Sequence, residues 1–162
     1  MKKTVYRIKP TASEFKKFML RDESESYESY FRDWQDFKVC SPEDLRNRLT
    51  VYKWEPQEHV LVFALDSANH LLTLTDVLKG QVNSVNIDMR SVFRQAIKDN
   101  AVSIIVAHNH PSGSGEPSSE DMAITRVMVS SGKILGIPVL DHIIISHAGI
   151  TSIRRQNPDI FN

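Results

Sequence analysis

The pattern that most constrains the fold of this chain is a pair of histidines at the end of an apolar run. Residues 102–107 read VSIIVA, and His108 and His110 follow with one asparagine between them. Alternate side chains of a strand point to the same face, so both imidazoles are expected to face one point. A loop rich in Gly, Ser and Pro comes next, and Asp121 stands at the start of a predicted helix. We therefore expect a buried strand, a loop and a helix N-terminus to meet at one place.

The spacing of these residues matches a catalytic metal site. It runs His-x-His, seven residues, Ser118, two residues and Asp121. Two neutral imidazoles and one carboxylate are a usual ligand set for catalytic zinc, which leaves its fourth position to water. Zinc bound in this way lowers the pKa of that water from about 15.7 towards about 7. We therefore predict that His108, His110 and Asp121 bind zinc.

Hydrolysis at such a site also needs a base and a group that steadies the developing oxyanion. Ser118 lies three residues before Asp121, at the mouth of the same helix, so its hydroxyl can reach the reacting centre. The same two residues match a capping box, and a cap that fixes the ligand is compatible with both roles. The base should be a carboxylate that is not a ligand, and the spacing does not choose among Glu58, Glu116 and Glu120.

Composition limits the class of protein and its location. A chain of 162 residues with 41% hydrophobic residues suits one domain with a proper core. The 20 basic and 20 acidic residues cancel, so no global charge favours nucleic acid or an anionic membrane. The single cysteine, Cys40, excludes an internal disulfide and a Cys-rich zinc site. No apolar segment suits a signal peptide or a membrane span, so we expect a cytoplasmic protein.

Hydrophobic patterning predicts strands interleaved with helices. Ser41 and Pro42 begin a predicted helix that runs to about Leu49. Another helix covers residues 91–98, and a third has a stripe of Met122, Ile124, Val127 and Met128 and ends near Gly132, a plausible C-cap. Strand-like runs lie at residues 60–65, 71–74, 80–87, 102–107, 138–146 and 150–153. This alternation predicts a single α/β (α+β) domain in which helices flank a central mixed β-sheet.

Residues 1–40 differ in texture from residues 41–162, which form the predicted domain. They begin with a strand-like segment at residues 4–8 and continue with an acidic, aromatic stretch at 22–31. One interpretation is a solvated appendage that packs its aromatic side chains on the domain. The alternative is an arm that binds a partner.

The motif resembles that of a known family. Residues 108–113 (HNHPSG) and 117–121 (PSSED) resemble the JAMM motif of the JAB/MPN metalloprotease superfamily, and most closely its bacterial RadC-like branch. Further RadC-like signatures are Leu65-Asp66 with Asn69, residues 89–94 (MRSVFR) and residues 140–145 (LDHIII). The resemblance spans residues 41–153. It implies a cytidine-deaminase-like architecture, a zinc ion and cleavage of a peptide or isopeptide bond.

The resemblance also implies which carboxylate is the base. In the superfamily a glutamate at the start of an upstream strand acts as general base, and the matching position here is Glu58, directly before the buried run at 59–65. The implied roles are therefore metal binding by His108, His110 and Asp121, proton transfer by Glu58 and support of the tetrahedral intermediate by Ser118. The partner is a peptide or protein substrate, and the sequence fixes neither its identity nor the oligomeric state.

Two other functions are compatible with the sequence. One is a DNA repair-associated accessory protein with a structural or vestigial metal site, although a structural zinc normally closes its fourth position. The other is an interaction scaffold that uses the N-terminal arm. Two further histidines have non-ligand interpretations. His142, inside an apolar strand, is expected to be a hydrogen-bonded core residue or a partner of a ligand. His59 is expected on the strand face opposite Glu58.

Overall fold

A computed structural model of the chain describes residues 4–7, 37–80 and 87–162. In these residues six strands form one mixed sheet, in the order β1-β3-β2-β4-β5-β6. The strands are β1 (Thr4–Arg7), β2 (Glu58–Leu65), β3 (Leu71–Gly80), β4 (Ser103–Asn109), β5 (Val139–Ser146) and β6 (Gly149–Ser152). The helices are α1 (Pro42–Leu49), α2 (Met89–Lys98), α3 (Ser119–Leu135) and α4 (Ile153–Gln156), with 3-10 turns at Thr50–Tyr52 and Pro158–Phe161. Within this sheet β4 and β5 are parallel and the other neighbours are antiparallel.

The observed architecture confirms the predicted α/β domain with a mixed sheet. The run at 60–65 forms most of β2, which lies between β3 and β4 and is buried beyond its first residue. The strand predicted at 80–87 cannot be compared in full, because residues 81–86 lie outside the described part of the chain. The acidic, aromatic stretch at 22–31 also lies outside it. No helix in the described ranges is long and apolar enough to cross a membrane.

Side-chain alternation along the strands builds two cores, one on each face of the sheet. Along β2, Val60 and Val62 face a cluster that includes side chains of α2 and α3. Leu61 and Phe63 face the other way, towards a cluster that includes α1. Each fully buried aliphatic or aromatic side chain contributes about 1.5–3 kcal/mol relative to an exposed one. The sheet is therefore fixed in register by burial on both sides.

The connection from β4 to β5 positions the candidate site. Parallel neighbours cannot be joined by a tight hairpin and need a crossover. Here α3 supplies that crossover and packs on the sheet face that carries Val60 and Val62. Its N-terminus therefore lies near the carboxyl end of β4, which is the edge where α/β sheets bind ligands.

The prediction that α3 ends near Gly132 is wrong. The helix continues to Leu135, and Gly136 adopts the left-handed conformation (φ 69°) that ends it. Gly132 is buried inside the last turns, where its carbonyl accepts a 2.9 Å hydrogen bond from Ile137 N. The predicted apolar stripe is also wrong at one residue, since Val127 is 49% exposed. Packing against the chain after the helix, and not a cap, explains the glycine at position 132.

Asp141 connects β5 to the elements that follow it. Its Oδ2 accepts a 2.6 Å hydrogen bond from Ser152 Oγ, at the end of β6. Its Oδ1 accepts from the backbone N–H groups of His142 (2.7 Å) and Arg154 (3.2 Å). Burial raises the pKa of this carboxyl, although each of these hydrogen bonds acts against the shift.

We expect Gly132→Ala to destabilise the protein, although alanine is the better helix former. A Cβ atom at this position would lie 2.6 Å from the Ile137 carbonyl oxygen. The free energy of unfolding should fall by about 1–2 kcal/mol, since overpacking outweighs the propensity gain. Chemical denaturation measures the change, with Ser130→Ala on the exposed side of the same helix as the control. An unchanged or higher midpoint for Gly132→Ala would show that no steric limit exists there.

Candidate metal centre

Three side chains that the sequence predicts as ligands converge at the carboxyl end of β4. His108 Nε2 lies 2.9 Å from Asp121 Oδ1, and His110 Nε2 lies 3.2 Å from Asp121 Oδ2. The two Nε2 atoms are 2.9 Å apart. One ligand atom from each of the three residues falls within 4.8 Å of the other two, a grouping that could hold a metal ion. The structure therefore brings the His-x-His pair and the distant aspartate into one cluster.

Strand geometry places both imidazoles on one side of the sheet. His108 lies in β4, and its neighbours two and four residues earlier, Val106 and Ile104, face the α2 and α3 side. His110 follows the last residue of β4, yet its backbone N–H still donates to Ile145 O of β5 at 2.9 Å. The strand alternation therefore continues through His110, and both rings face α3.

Asp121 is positioned by the cap of α3. Ser118 Oγ accepts a 3.1 Å hydrogen bond from the backbone N–H of Asp121. In return, Asp121 Oδ2 accepts hydrogen bonds from the Ser118 backbone N–H and from Ser118 Oγ, both at 2.7 Å. This capping box anchors Oδ2 and leaves Oδ1 opposite His108 Nε2. The cap and the ligand position are thus one arrangement, as the sequence predicts.

The electrostatics of the cluster favour an ionised aspartate. Burial acts to raise the pKa of Asp121, but hydrogen bonds from His108 and His110 hold it well below its usual range. The bond to Asp121 raises the pKa of His110 against the effect of burial, and the charge of Glu58 adds to that rise. Asp121 is therefore a carboxylate at neutral pH, while a proton and a metal ion compete for Nε2 of His110.

The donor set fits a divalent cation. His110 Nδ1 lies 3.0 Å from the Ser114 carbonyl oxygen, which only accepts, so Nδ1 carries the proton in the neutral ring. The lone pair of His110 Nε2 then faces His108 Nε2 and the Asp121 carboxylate. Two imidazole nitrogens and one carboxylate oxygen suit zinc and other first-row divalent metals.

Glu58 lies beside this cluster, at the first residue of β2. Val60 pairs with His108 across the antiparallel β2–β4 ladder, so extending the register by two residues sets Glu58 opposite His110. Glu58 is half-buried, whereas Glu116 and Glu120, the other two carboxylates considered from the spacing, are exposed. Its charge raises the pKa of His110, which also indicates that the two side chains are close.

Asn109 has a structural role that the sequence reasoning missed. Its side chain points away from the two histidines, and Oδ1 accepts a 2.7 Å hydrogen bond from the His59 backbone N–H. Its Nδ2 donates to the carbonyl oxygens of Glu55 (3.3 Å) and Gln57 (3.1 Å). One buried amide therefore fastens the segment that carries Glu58 to β4. A polar residue at a core-facing position of a buried strand is the signal that could have revealed it.

His142 and His59 lie where the sequence predicts, one beside a candidate ligand and the other on the opposite face of β2 from Glu58. His142 is 2% exposed, and its Nε2 lies 2.8 Å from Nδ1 of the candidate ligand His108. Burial lowers the pKa of His142 well below the usual value for histidine. His59 faces the opposite side of β2 from Glu58, where its Nδ1 lies 2.7 Å from Asp76 Oδ2.

A mixed sheet with a His-x-His strand end and a carboxylate in the first turn of the crossover helix defines a JAB-type α/β domain with a candidate metal site. The chain belongs to the RadC-like JAB domain family, since the sequence model of that family matches residues 39–158. This match confirms the resemblance drawn from residues 108–121.

Curated relatives carry the name UPF0758 protein. One from Chloroflexus aurantiacus is 41% identical over 121 residues, which is 74% of this chain and 53% of that protein. One from Clostridium tetani is 34% identical over 128 residues, 78% of this chain and 56% of its own length. One from Methanospirillum hungatei is 43% identical over 108 residues, 67% of this chain and 48% of its own. The chain thus spans about half the length of these curated relatives.

His108→Ala is expected to remove most of the bound metal. The substitution deletes one of three converging ligand atoms, and the two that remain belong to different elements. Metal content after reconstitution and dialysis, measured by atomic emission, should fall well below that of the unmodified protein. His70→Ala is the matched control, because His70 pairs with Asp66 in a turn. Undiminished metal content in His108→Ala would remove this residue from the site.

Asn109→Ala should lower the free energy of unfolding by about 1–3 kcal/mol, because it leaves three buried or half-buried backbone groups without their partner. Metal affinity should change less than stability, since both imidazoles remain. Thermal denaturation and metal titration of the same sample separate these effects. Asn47→Ala, at an exposed position of α1, controls for loss of an amide. A stable variant would show that Asn109 does not hold the segment before β2.

Proposed function

We propose that this protein is a zinc-dependent hydrolase that cleaves an amide bond in a peptide or isopeptide. The carrying observation is the convergence of His108, His110 and Asp121 beside Glu58 at the carboxyl end of β4. Membership of the RadC-like JAB family supports the same class of site. The relatives extend well beyond the matched region, so the proposal concerns the chemistry of this domain.

The ligand set favours a catalytic metal over a structural one. Structural zinc sites use four protein ligands, whereas three ligands leave a position open. Among the described residues, the ligand cluster contains three. When bound, the zinc supplies Lewis acidity, which acidifies water and polarises a carbonyl group.

Glu58 is proposed as the general base and then the general acid. Its carboxylate takes a proton from the attacking water while the water oxygen bonds to the carbonyl carbon. The same proton passes to the amide nitrogen as the carbon–nitrogen bond breaks, which yields a carboxylic acid and an amine. The position of Glu58 opposite His110 suits a group that exchanges protons at the open edge of the cluster.

Ser118 is proposed to donate a hydrogen bond to the oxyanion of the tetrahedral intermediate. In the structure its hydroxyl lies 2.7 Å from Asp121 Oδ2, so it turns from this carboxylate to the substrate. The Ser118 backbone N–H still holds Oδ2 at 2.7 Å after such a rotation. The hydroxyl proton can therefore turn while Oγ still accepts from the Asp121 backbone N–H, so the ligand position is kept.

Exposure indicates the side from which substrate enters. His108 and Asp121 are buried, His110 is half-buried and Ser118 is exposed. The cluster thus opens towards the loop at residues 111–117. The substrate amide is expected to approach over this loop, with its carbonyl near Ser118.

Glu58→Gln tests the proposal, since it keeps the shape of the side chain and removes its ability to take a proton. Turnover of a cleaved peptide or isopeptide should fall by about 100-fold or more, whereas metal content should stay unchanged. The substrate is first found by mass spectrometry of peptide and isopeptide pools, incubated with the zinc-loaded and the chelated protein.

Glu116→Gln, in the exposed loop, is the control and should keep its activity. Full activity in Glu58→Gln would assign the base to another residue. A zinc-loaded wild-type protein that cleaves no member of either pool would contradict amide hydrolysis itself.

A further inference from the structure

A buried chain of hydrogen bonds runs behind His108, on the side away from Asp121. His108 Nδ1 lies 2.8 Å from His142 Nε2, and His142 Nδ1 lies 2.6 Å from Thr125 Oγ1. Thr125 Oγ1 lies in turn 2.5 Å from the carbonyl oxygen of Asp121. All four residues are buried, so water cannot supply a hydrogen bond to an atom that its neighbour leaves without one.

The direction of each bond follows from what each atom can do. A carbonyl oxygen only accepts, so the Thr125 hydroxyl donates its single proton to Asp121 O. The hydroxyl must then accept from the ring of His142, which places a proton on His142 Nδ1. A second proton on this ring would create a buried cation, which is costly without a countercharge in contact. His142 Nε2 is therefore an acceptor, and His108 Nδ1 donates to it.

The chain of hydrogen bonds ends at the His108 ring, whose Nε2 faces the other candidate ligands. With its proton on Nδ1, neutral His108 has a lone pair on Nε2, directed at His110 Nε2 and Asp121 Oδ1. The opposite tautomer would place a proton on that atom and two lone pairs between His108 and His142. Behind His108, only this direction of the bonds satisfies Thr125, His142 and the Asp121 carbonyl together, and it places a proton on His108 Nδ1, which leaves Nε2 as the atom that can bind a metal.

We propose that His142 and Thr125 are positioning residues that fix the tautomer of His108 and so keep its Nε2 available to the metal. This inference rests on the metal site of the proposed function and is independent of amide hydrolysis. Asp121 and Thr125 lie one turn apart on α3. We call His142 and Thr125 the relay behind His108. The helix that supplies the Asp121 carboxylate therefore also supplies the Thr125 end of this relay.

A pair of nearly isosteric variants at one position tests this inference. Thr125→Val removes the acceptor for His142 Nδ1–H and keeps the volume, whereas Thr125→Ser keeps the hydroxyl. The zinc affinity of Thr125→Val, measured by competition with a chromophoric chelator, should be about 10- to 100-fold weaker than wild type. Thr125→Ser should remain close to wild type. Likewise His142→Phe should lose affinity, and His142→Gln, which retains an acceptor for His108, should recover most of it.

The second measurement needs no metal. In the chelated protein, 15N NMR of the imidazoles should show a proton on His108 Nδ1 and none on His142 Nε2 in wild type and Thr125→Ser. In Thr125→Val the proton is expected to shift towards Nε2. A role in packing alone would change the thermal unfolding midpoint and leave this assignment unchanged.

The outcomes separate the relay from the proposed function. Equal zinc affinities for Thr125→Val and Thr125→Ser, or a wild-type His108 without a proton on Nδ1, would overturn the relay alone. Zinc affinities in the expected order with no amide cleavage would overturn hydrolysis and support the relay. A wild-type protein that binds no zinc would overturn both.

Discussion

The contacts of Asp121 are the interaction on which the site depends. One carboxylate oxygen receives the Ser118 backbone N–H and hydroxyl, and the other faces His108 Nε2. The backbone carbonyl of the same residue receives the Thr125 hydroxyl. A single residue thus joins the helix cap, the two imidazoles and the bonds behind them. Because α3 also fills the core with Ile124, its correct docking brings the carboxylate to β4 without a separate ordering cost.

Because side chains alternate along β4, the His-Asn-His triplet directs its two histidines to one face of the sheet and its asparagine to the other. His108 and His110 face α3, and Asn109 faces the segment before β2. The candidate metal ligands and the amide that fastens the segment carrying Glu58 therefore come from one strand and the residue after it. A shift of one residue in register would exchange the two sets of side chains. Such a shift is opposed by both hydrophobic clusters, so the cores protect the site as well as the fold.

The features that were predictable from sequence are those set by short spacings. The shared direction of the two histidines follows from the two-residue period of a strand. The cap follows from the three-residue spacing of Ser118 and Asp121 at a helix start. Neither prediction needs knowledge of distant contacts. The hydrogen bonds of Asn109 depend on a pairing 50 residues apart, which no local pattern encodes. The apolar strand around His142 indicates a core residue or a partner of a ligand, but it does not choose His108, which lies 34 residues away. The predicted end of α3 was wrong for a related reason, because it depends on contacts made outside the helix. Gly132 packs against Ile137, and of these two glycines Gly136 is the one with the left-handed conformation.

Burial divides the candidate metal centre into a part that sets geometry and a part that solvent can reach. His108, Asp121, Thr125 and His142 are buried and bonded to one another, so a change at any of them disturbs several bonds. Most of the loop after His110 is exposed, and a change there disturbs few bonds, whereas Ser118, although exposed, still caps Asp121. The contacts that shape the candidate ligand atoms come from β2, β4, β5, α3 with its N-cap Ser118, and the Ser114 carbonyl, all within the region matched by the family. Under the proposed function, substrate preference would vary at the loop, while the buried bonds keep the candidate ligand atoms in place.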